Sequence, residues 1–117
     1  KMTDEMMMIC YKCGKQLNDG ANSSELADMI VEETGMNRNS AIMYIYAVSS
    51  LLSGTVFKRA ISGKALRKYY DLILNEYGSA GLEKAIKATR LHIEYRKDCG
   101  LTADAIEDLC NEYQSRL

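Results

Sequence analysis

The sequence predicts an all-α fold, a compact bundle of about five helices preceded by an N-terminal Cys-x-x-Cys knuckle. Three observations predict it. Apolar residues recur at i, i+3 and i+4 in successive stretches, the spacing of one helix face. Gly, Ser, Thr and Asn punctuate those stretches at the positions of helix caps and stops. The 117 residues contain no Pro, so nothing interrupts a helical ladder. An apolar content of 47% and a charged content of 26% are those of an ordinary globular chain. The expected organisation is an N-terminal arm carrying the knuckle over residues 1–23 and a single helical domain over 24–117.

The first distinctive stretch is Ile9-Cys10-Tyr11-Lys12-Cys13-Gly14-Lys15. Two thiolates two residues apart reach one tetrahedral metal, and Gly14 permits a tight turn beneath the sulfurs. Cys-x-x-Cys-Gly-Lys resembles the knuckle of zinc ribbons and rubredoxins, so Cys10 and Cys13 are candidate metal ligands and zinc is the cofactor such a pair implies. The other half of a four-ligand site is missing. Cys99, Cys110 and the single His92 are the remaining donors. Cys99 and Cys110 would lie roughly 16 Å apart on one helix. A reduced, unligated pair and a site shared between two chains both stay open.

Asn18 to Ser23 is turn-rich, and the first helix is expected from about Ser24 to Thr34, capped by Asn22 or Ser23. Leu26, Met29 and Ile30 mark its core face. Gly35 stops it, because a left-handed residue there is cheap only for Gly. Asn37 caps the next helix, Arg38 to Ser53, whose stripe is Ile42, Ile45, Val48 and Leu52 with Ala41 and Leu51 beside it. Thr55 to Ile61 alternates with period two and reads as an extended connector. Ser62 caps a third helix, about Gly63 to Tyr77. Ser79 caps a fourth, about Ala80 to Asp98, and Thr102 a fifth, about Ala103 to Ser115. The eight tyrosines suit a core or an interface, having an apolar body and a polar tip.

Two short-linked helices with Gly between them are the sequence form of a helix-turn-helix. Thr34-Gly35-Met36-Asn37-Arg38-Asn39-Ser40-Ala41 resembles the core of that DNA-binding motif. The resemblance implies that Asn37, Arg38, Asn39 and Met43 face the major groove. Arg and Asn are the side chains whose geometry reads guanine and adenine edges. From Asn37 to Arg96 the chain also resembles the helical N-terminal domain of McrA-like HNH restriction endonucleases. The similarity rests on Asn39-Ser40-Ala41, the run Leu51 to Arg59, Glu76-Tyr77-Gly78 and His92-Ile93-Glu94-Tyr95. In that setting the domain accompanies nuclease modules and does not itself cut. With one His, the chain carries no HNH module.

Charge is distributed unevenly. Residues 1–37 carry three basic and seven acidic side chains, residues 38–96 ten basic and four acidic, and residues 97–117 two basic and five acidic. Five basic residues, Lys58, Arg59, Lys64, Arg67 and Lys68, fall within eleven positions. Lys64, Arg67 and Lys68 open a helix, where the dipole favours acids. Cations kept there against that preference point to an anionic ligand. The acidic face of the last helix, Asp104, Glu107, Asp108 and Glu112, reads first as a solvated surface, and otherwise as a mimic of nucleic-acid charge or a brace on the basic middle.

There is no phosphate-binding Gly-rich loop, dinucleotide fingerprint or nucleophile elbow. His92 lies in an apolar stretch and reads as a core histidine. The chain is therefore expected to be non-enzymatic and to use no small-molecule substrate. No apolar run approaches the roughly 20 residues of a membrane span, and a cytoplasmic location is expected. The function expected is nucleic-acid binding, with DNA as the expected partner, associated with restriction or regulation. Arg38 and Asn39 would touch bases, and Lys58, Arg59, Lys64, Arg67 and Lys68 phosphates. The alternative is a protein-interaction or homodimerisation module built on Tyr- and Met-rich helix faces.

Overall fold

The computed structural model describes all residues, Lys1–Leu117. It contains five helices and no strand: α1 Asp4–Asn18, α2 Ser23–Thr34, α3 Arg38–Ser53, α4 Gly63–Asp98 and α5 Asp104–Gln114. Their contacts group into two units, Lys1–Ser49 and Ser50–Leu117. No helix is long and apolar enough to cross a membrane.

In the first unit, α1 replaces the expected knuckle. Thr3 caps it by accepting from the Met6 N–H at 3.1 Å. Asp4 and Glu5 fill its first turn and Lys15 its last, the order the helix dipole favours. Met7, Cys10, Tyr11 and Gly14 are buried at i, i+3, i+4 and i+7. The Cys-x-x-Cys spacing is thus a helical core stripe, and a knuckle needs a turn that this stripe excludes. Gly14 serves packing here. A Cβ at Gly14 would lie 2.4 Å from both Cβ and Cγ1 of Val48, so its missing side chain is what lets α3 approach α1.

Asn22 caps α2 through the Glu25 N–H at 3.0 Å. Gly35 adopts the left-handed conformation at φ 71° and returns its N–H to the Val31 carbonyl. The Thr34 hydroxyl donates to the Ile30 carbonyl at 2.7 Å and accepts from Met36 N–H at 3.2 Å. Met36 is buried against Cys10, with sulfurs 3.8 Å apart. Asn37 then caps α3 by accepting from Ser40 N–H at 3.1 Å. Ala41, Tyr44, Ile45, Ala47 and Val48 are the buried residues of α3 in this unit. Ile42 is only half-buried, so the core stripe is rotated slightly from the one expected.

In the second unit α4 joins the two helices expected over 63–77 and 80–98. The helix is broken between them at Gly78, which sits at φ 72°, ψ −162°, a region open only to Gly. A straight helix would hold Tyr70 and Thr89 about 28 Å apart. Instead the Tyr70 hydroxyl donates to Thr89 Oγ1 at 2.6 Å. Gly78 therefore reverses the chain, and the two arms of α4 pack on each other. Thr89 passes its own proton to the Ala85 carbonyl at 2.9 Å. Cys110 of α5 touches the same hydroxyl, at 3.3 Å from Tyr70. Burial pushes both the Tyr70 phenol and the Cys110 thiol up, holding them neutral.

At the start of α5, Ala103 occupies the cap and offers no side-chain bond. Thr102 instead gives its carbonyl to Arg96 Nε at 2.9 Å. Leu109, Cys110 and Tyr113 bury the inner face of α5.

Candidate nucleic-acid interface

The basic stretch is displayed by a pinned connector. Gly54 ends α3 with φ 74°, and Ser50 Oγ donates to the Val56 carbonyl at 3.3 Å. Phe57 and Ile61 are then buried, while Lys58, Arg59 and Ala60 between them are exposed. Phe57 lies flat on the His92 ring, centroids 4.3 Å apart and planes 12° from parallel. His92 Nδ1 is 2.6 Å from the Phe57 carbonyl. A carbonyl only accepts, so Nδ1 carries the proton and donates. Nε2 is buried without a partner. Burial depresses the imidazole pKa, outweighing the opposite pull of the Phe57 carbonyl, and Arg96 adds to the depression. A neutral, fixed imidazole thus anchors the connector, and His92 is a core residue as expected.

Ser62 caps α4 by accepting from Ala65 N–H at 3.1 Å. Ala65, Leu66, Tyr69 and Tyr70 turn inward. That spacing places Lys64, Arg67 and Lys68 on the other side, one or two turns from the cap; Lys64 and Arg67 are exposed and Lys68 is half-buried. Lys58 rests its ammonium 5.5 Å from the centroid of the Tyr95 ring, a contact that leaves its charge uncompensated. Lys58, Arg59, Lys64 and Lys68 form no ion pair.

Arg67 differs. Its guanidinium makes a two-pronged pair with Glu112 of α5, at 2.6 and 2.9 Å. This pair holds the Glu112 carboxyl below the usual carboxylate range. Arg116 joins at 3.2 Å from Glu112 and 3.8 Å from Asp71. Its guanidinium also stacks 4.2 Å from the Tyr113 ring centroid. The Tyr113 hydroxyl donates to Asp71. Further along, Lys97 pairs with Glu107 at 3.1 Å and Arg90 donates to Asn111 at 3.0 Å. A small cleft of about 210 Å³ opens between α4 and α5, with Lys64 and Arg67 on one wall and Asp108 and Glu112 on the other. The acidic helix thus braces the basic middle at Arg67 and pairs with Lys97 just beyond it, and it forms no ion pair with Lys58, Lys64 or Lys68.

In the first unit Arg38 and Asn39 stand at the start of α3, and both are exposed. Arg38 is folded back onto α2. Its Nε donates to Asp28 at 2.9 Å, and its Nη2 donates to Ser24 Oγ at 2.7 Å. Asn39 has no such partner. Tyr46, half exposed, shares a hydroxyl contact with Ser23 at 3.3 Å. The carboxylates that engage Arg38 and Arg67 lie on neighbouring helices, ten and 45 residues away in the chain. No local spacing announces them, so sequence reasoning reached the arginines and missed their partners.

Cys10 and Cys13 are buried in α1. Burial pushes the Cys10 thiol up to about 12, with the Cys13 sulfur adding to the rise. Burial raises Cys13 as well, and Glu33 adds to it. Protonated thiols are poor metal ligands and poor nucleophiles. No group of three or more His, Cys, Asp or Glu side chains is placed to hold one metal ion. All four cysteines are free thiols, and only Cys99 is exposed.

No family model, curated protein sequence or solved structure matches the chain.

Proposed function

We propose that the chain is a non-enzymatic nucleic-acid-binding protein that takes duplex DNA through its phosphates. One observation carries the reading: Lys58, Arg59, Lys64 and Lys68 crowd a connector and a helix start with no carboxylate paired to any of them. Confining four uncompensated cations to eleven residues opposes stability through mutual repulsion, and a polyanion relieves it. Arg67 is a fifth contact, reached by exchanging the Glu112 carboxylate for a phosphate. Base reading falls to Asn39, with Arg38 contributing after release from Asp28. This is the role the helix-turn-helix resemblance implies, and the resemblance to the helical domain of McrA-like enzymes implies a setting in restriction or regulation.

The test is a titration with mixed-sequence duplexes at several salt concentrations. Neutralising four to five phosphates gives a slope of log K against log salt of about −4. Binding that is absent at low salt, or independent of salt, rejects the proposal. A complementary comparison offers single-stranded RNA and DNA of equal length, and a duplex preference is expected.

A further inference from the structure

We infer that α1 is a self-association surface on which a second copy of this chain docks antiparallel. A groove of about 630 Å³ runs between α1 and α2. Its floor and walls include Met8 and Ile9 of α1 and Met29 of α2, with Glu5, Lys12 and Glu33 along the rim. Met8 and Ile9 are half-buried and Met29 is exposed at 37%. These thioethers and the Ile9 methyls are apolar surface that α1 and α2 leave partly uncovered at the groove, and Met side chains repack readily against a partner.

The occupant follows from the order of charges. Glu5, Met8, Ile9 and Lys12 lie at i, i+3, i+4 and i+7, one stripe along a single helix face. Glu5 and Lys12 are about 10 Å apart along the axis, too far to pair within one helix. Neither forms an ion pair in the chain. Both stand three residues from the apolar centre, Glu5 before Met8 and Lys12 after Ile9. A twofold axis beside Met8 and Ile9 therefore sets Glu5 of each copy against Lys12 of the other, with the apolar residues meeting between them. A uniformly acidic groove would suit a basic peptide. This groove is lined by Lys12 and Lys15 as well as Glu5, Asp19 and Glu33, and along its α1 stripe the order runs from Glu5 to Lys12, which an antiparallel copy of the same helix meets in reverse. Such an isologous contact closes on itself and stops at the dimer.

Sedimentation of the full chain at micromolar concentration tests this, with Glu5→Lys and Lys12→Glu as probes. The wild type is expected to be a dimer. Each reversal alone sets like charges against each other at both ends and weakens the dimer about tenfold. Mixing the two variants restores opposite charges at both ends, so a heterodimer of wild-type affinity forms. The doubly reversed chain pairs with itself as tightly as wild type. These rescues also separate an interface effect from a folding defect, because a misfolded helix regains nothing on mixing. A wild type that stays monomeric overturns the inference. So does a dimer that the reversals leave unchanged, or one that mixing fails to restore.

Discussion

Arg38 and the lysines after Gly54 were equal candidates by charge, and the structure treats them differently. Arg38 spends its guanidinium inside its own unit, tying the start of α3 to Asp28 and Ser24 of α2. Lys58, Arg59 and Lys64 are lifted into solvent by buried anchors on either side, Phe57, Ile61 and Leu66. A cation that closes a turn has a partner already. A cation held out by apolar neighbours has none. The availability of charge, more than its count, separates a structural residue from a binding one, and the contrast suggests how the two regions will respond to substitution.

The largest effect is expected at the turnless motif. Gly14→Ala puts a Cβ into Val48, and overpacking of that kind costs about 1–3 kcal/mol, seen as a lower urea midpoint. Val48→Ala in the same chain removes the Cγ1 contact but keeps the clashing Cβ, so it should recover only part of the loss. A neutral result would mean that α1 and α3 do not meet closely at this point.

Next comes the binding region. Lys58→Gln, Arg59→Gln and Lys64→Gln together should lower DNA affinity by about 100-fold at moderate salt and flatten the salt slope by nearly three. Their urea midpoint should stay where it is, since these side chains are exposed. Arg38→Ala should show the opposite balance. It loses an exposed ion pair worth about 0.2–1 kcal/mol, with a smaller loss of affinity than the triple change.

A smaller effect is expected at the boundary between bracing and binding. Glu112→Gln frees the Arg67 guanidinium, so DNA affinity should rise a few-fold and the salt slope steepen by about one. Because Arg67 holds the Glu112 carboxyl low, this brace is fully present above the ordinary carboxylate pKa of about 4.3 and fades as pH falls below it.

The smallest effect should come from pH near neutrality. His92 is neutral and its pKa is lowered by burial, so the unfolded chain binds its proton first. Stability should decline as pH drops below about 6.5, the unperturbed value. His92→Gln should remove that part of the slope in a series of denaturation curves.

Much of the fold was legible because its signals are local. Asn22, Asn37 and Ser62 cap where their side chains suggest, and Gly35 and Gly54 stop helices because only Gly takes a positive φ without cost. Two elements were not legible in that way. Cys-x-x-Cys-Gly has a metal reading and a helical one at the same spacing, and what decides between them is Val48, 34 residues later in the chain. Gly78 breaks the helix where the sequence places a stop, but the packing of the two arms on each other, through the Tyr70–Thr89 bond, was not visible in sequence. The candidate site divides likewise. Its basic residues were visible as composition. Their pairing was not, since Glu112 reaches Arg67 only after α4 has turned back and α5 has docked.

The central claim is that the uncompensated cations from Lys58 to Lys68 serve a polyanion. The salt dependence of duplex DNA binding by the wild-type chain tests it most directly. The account predicts tight binding at low salt and a slope of about −4 on a log–log plot. No binding at low salt, or binding whose strength does not change with salt, would contradict it.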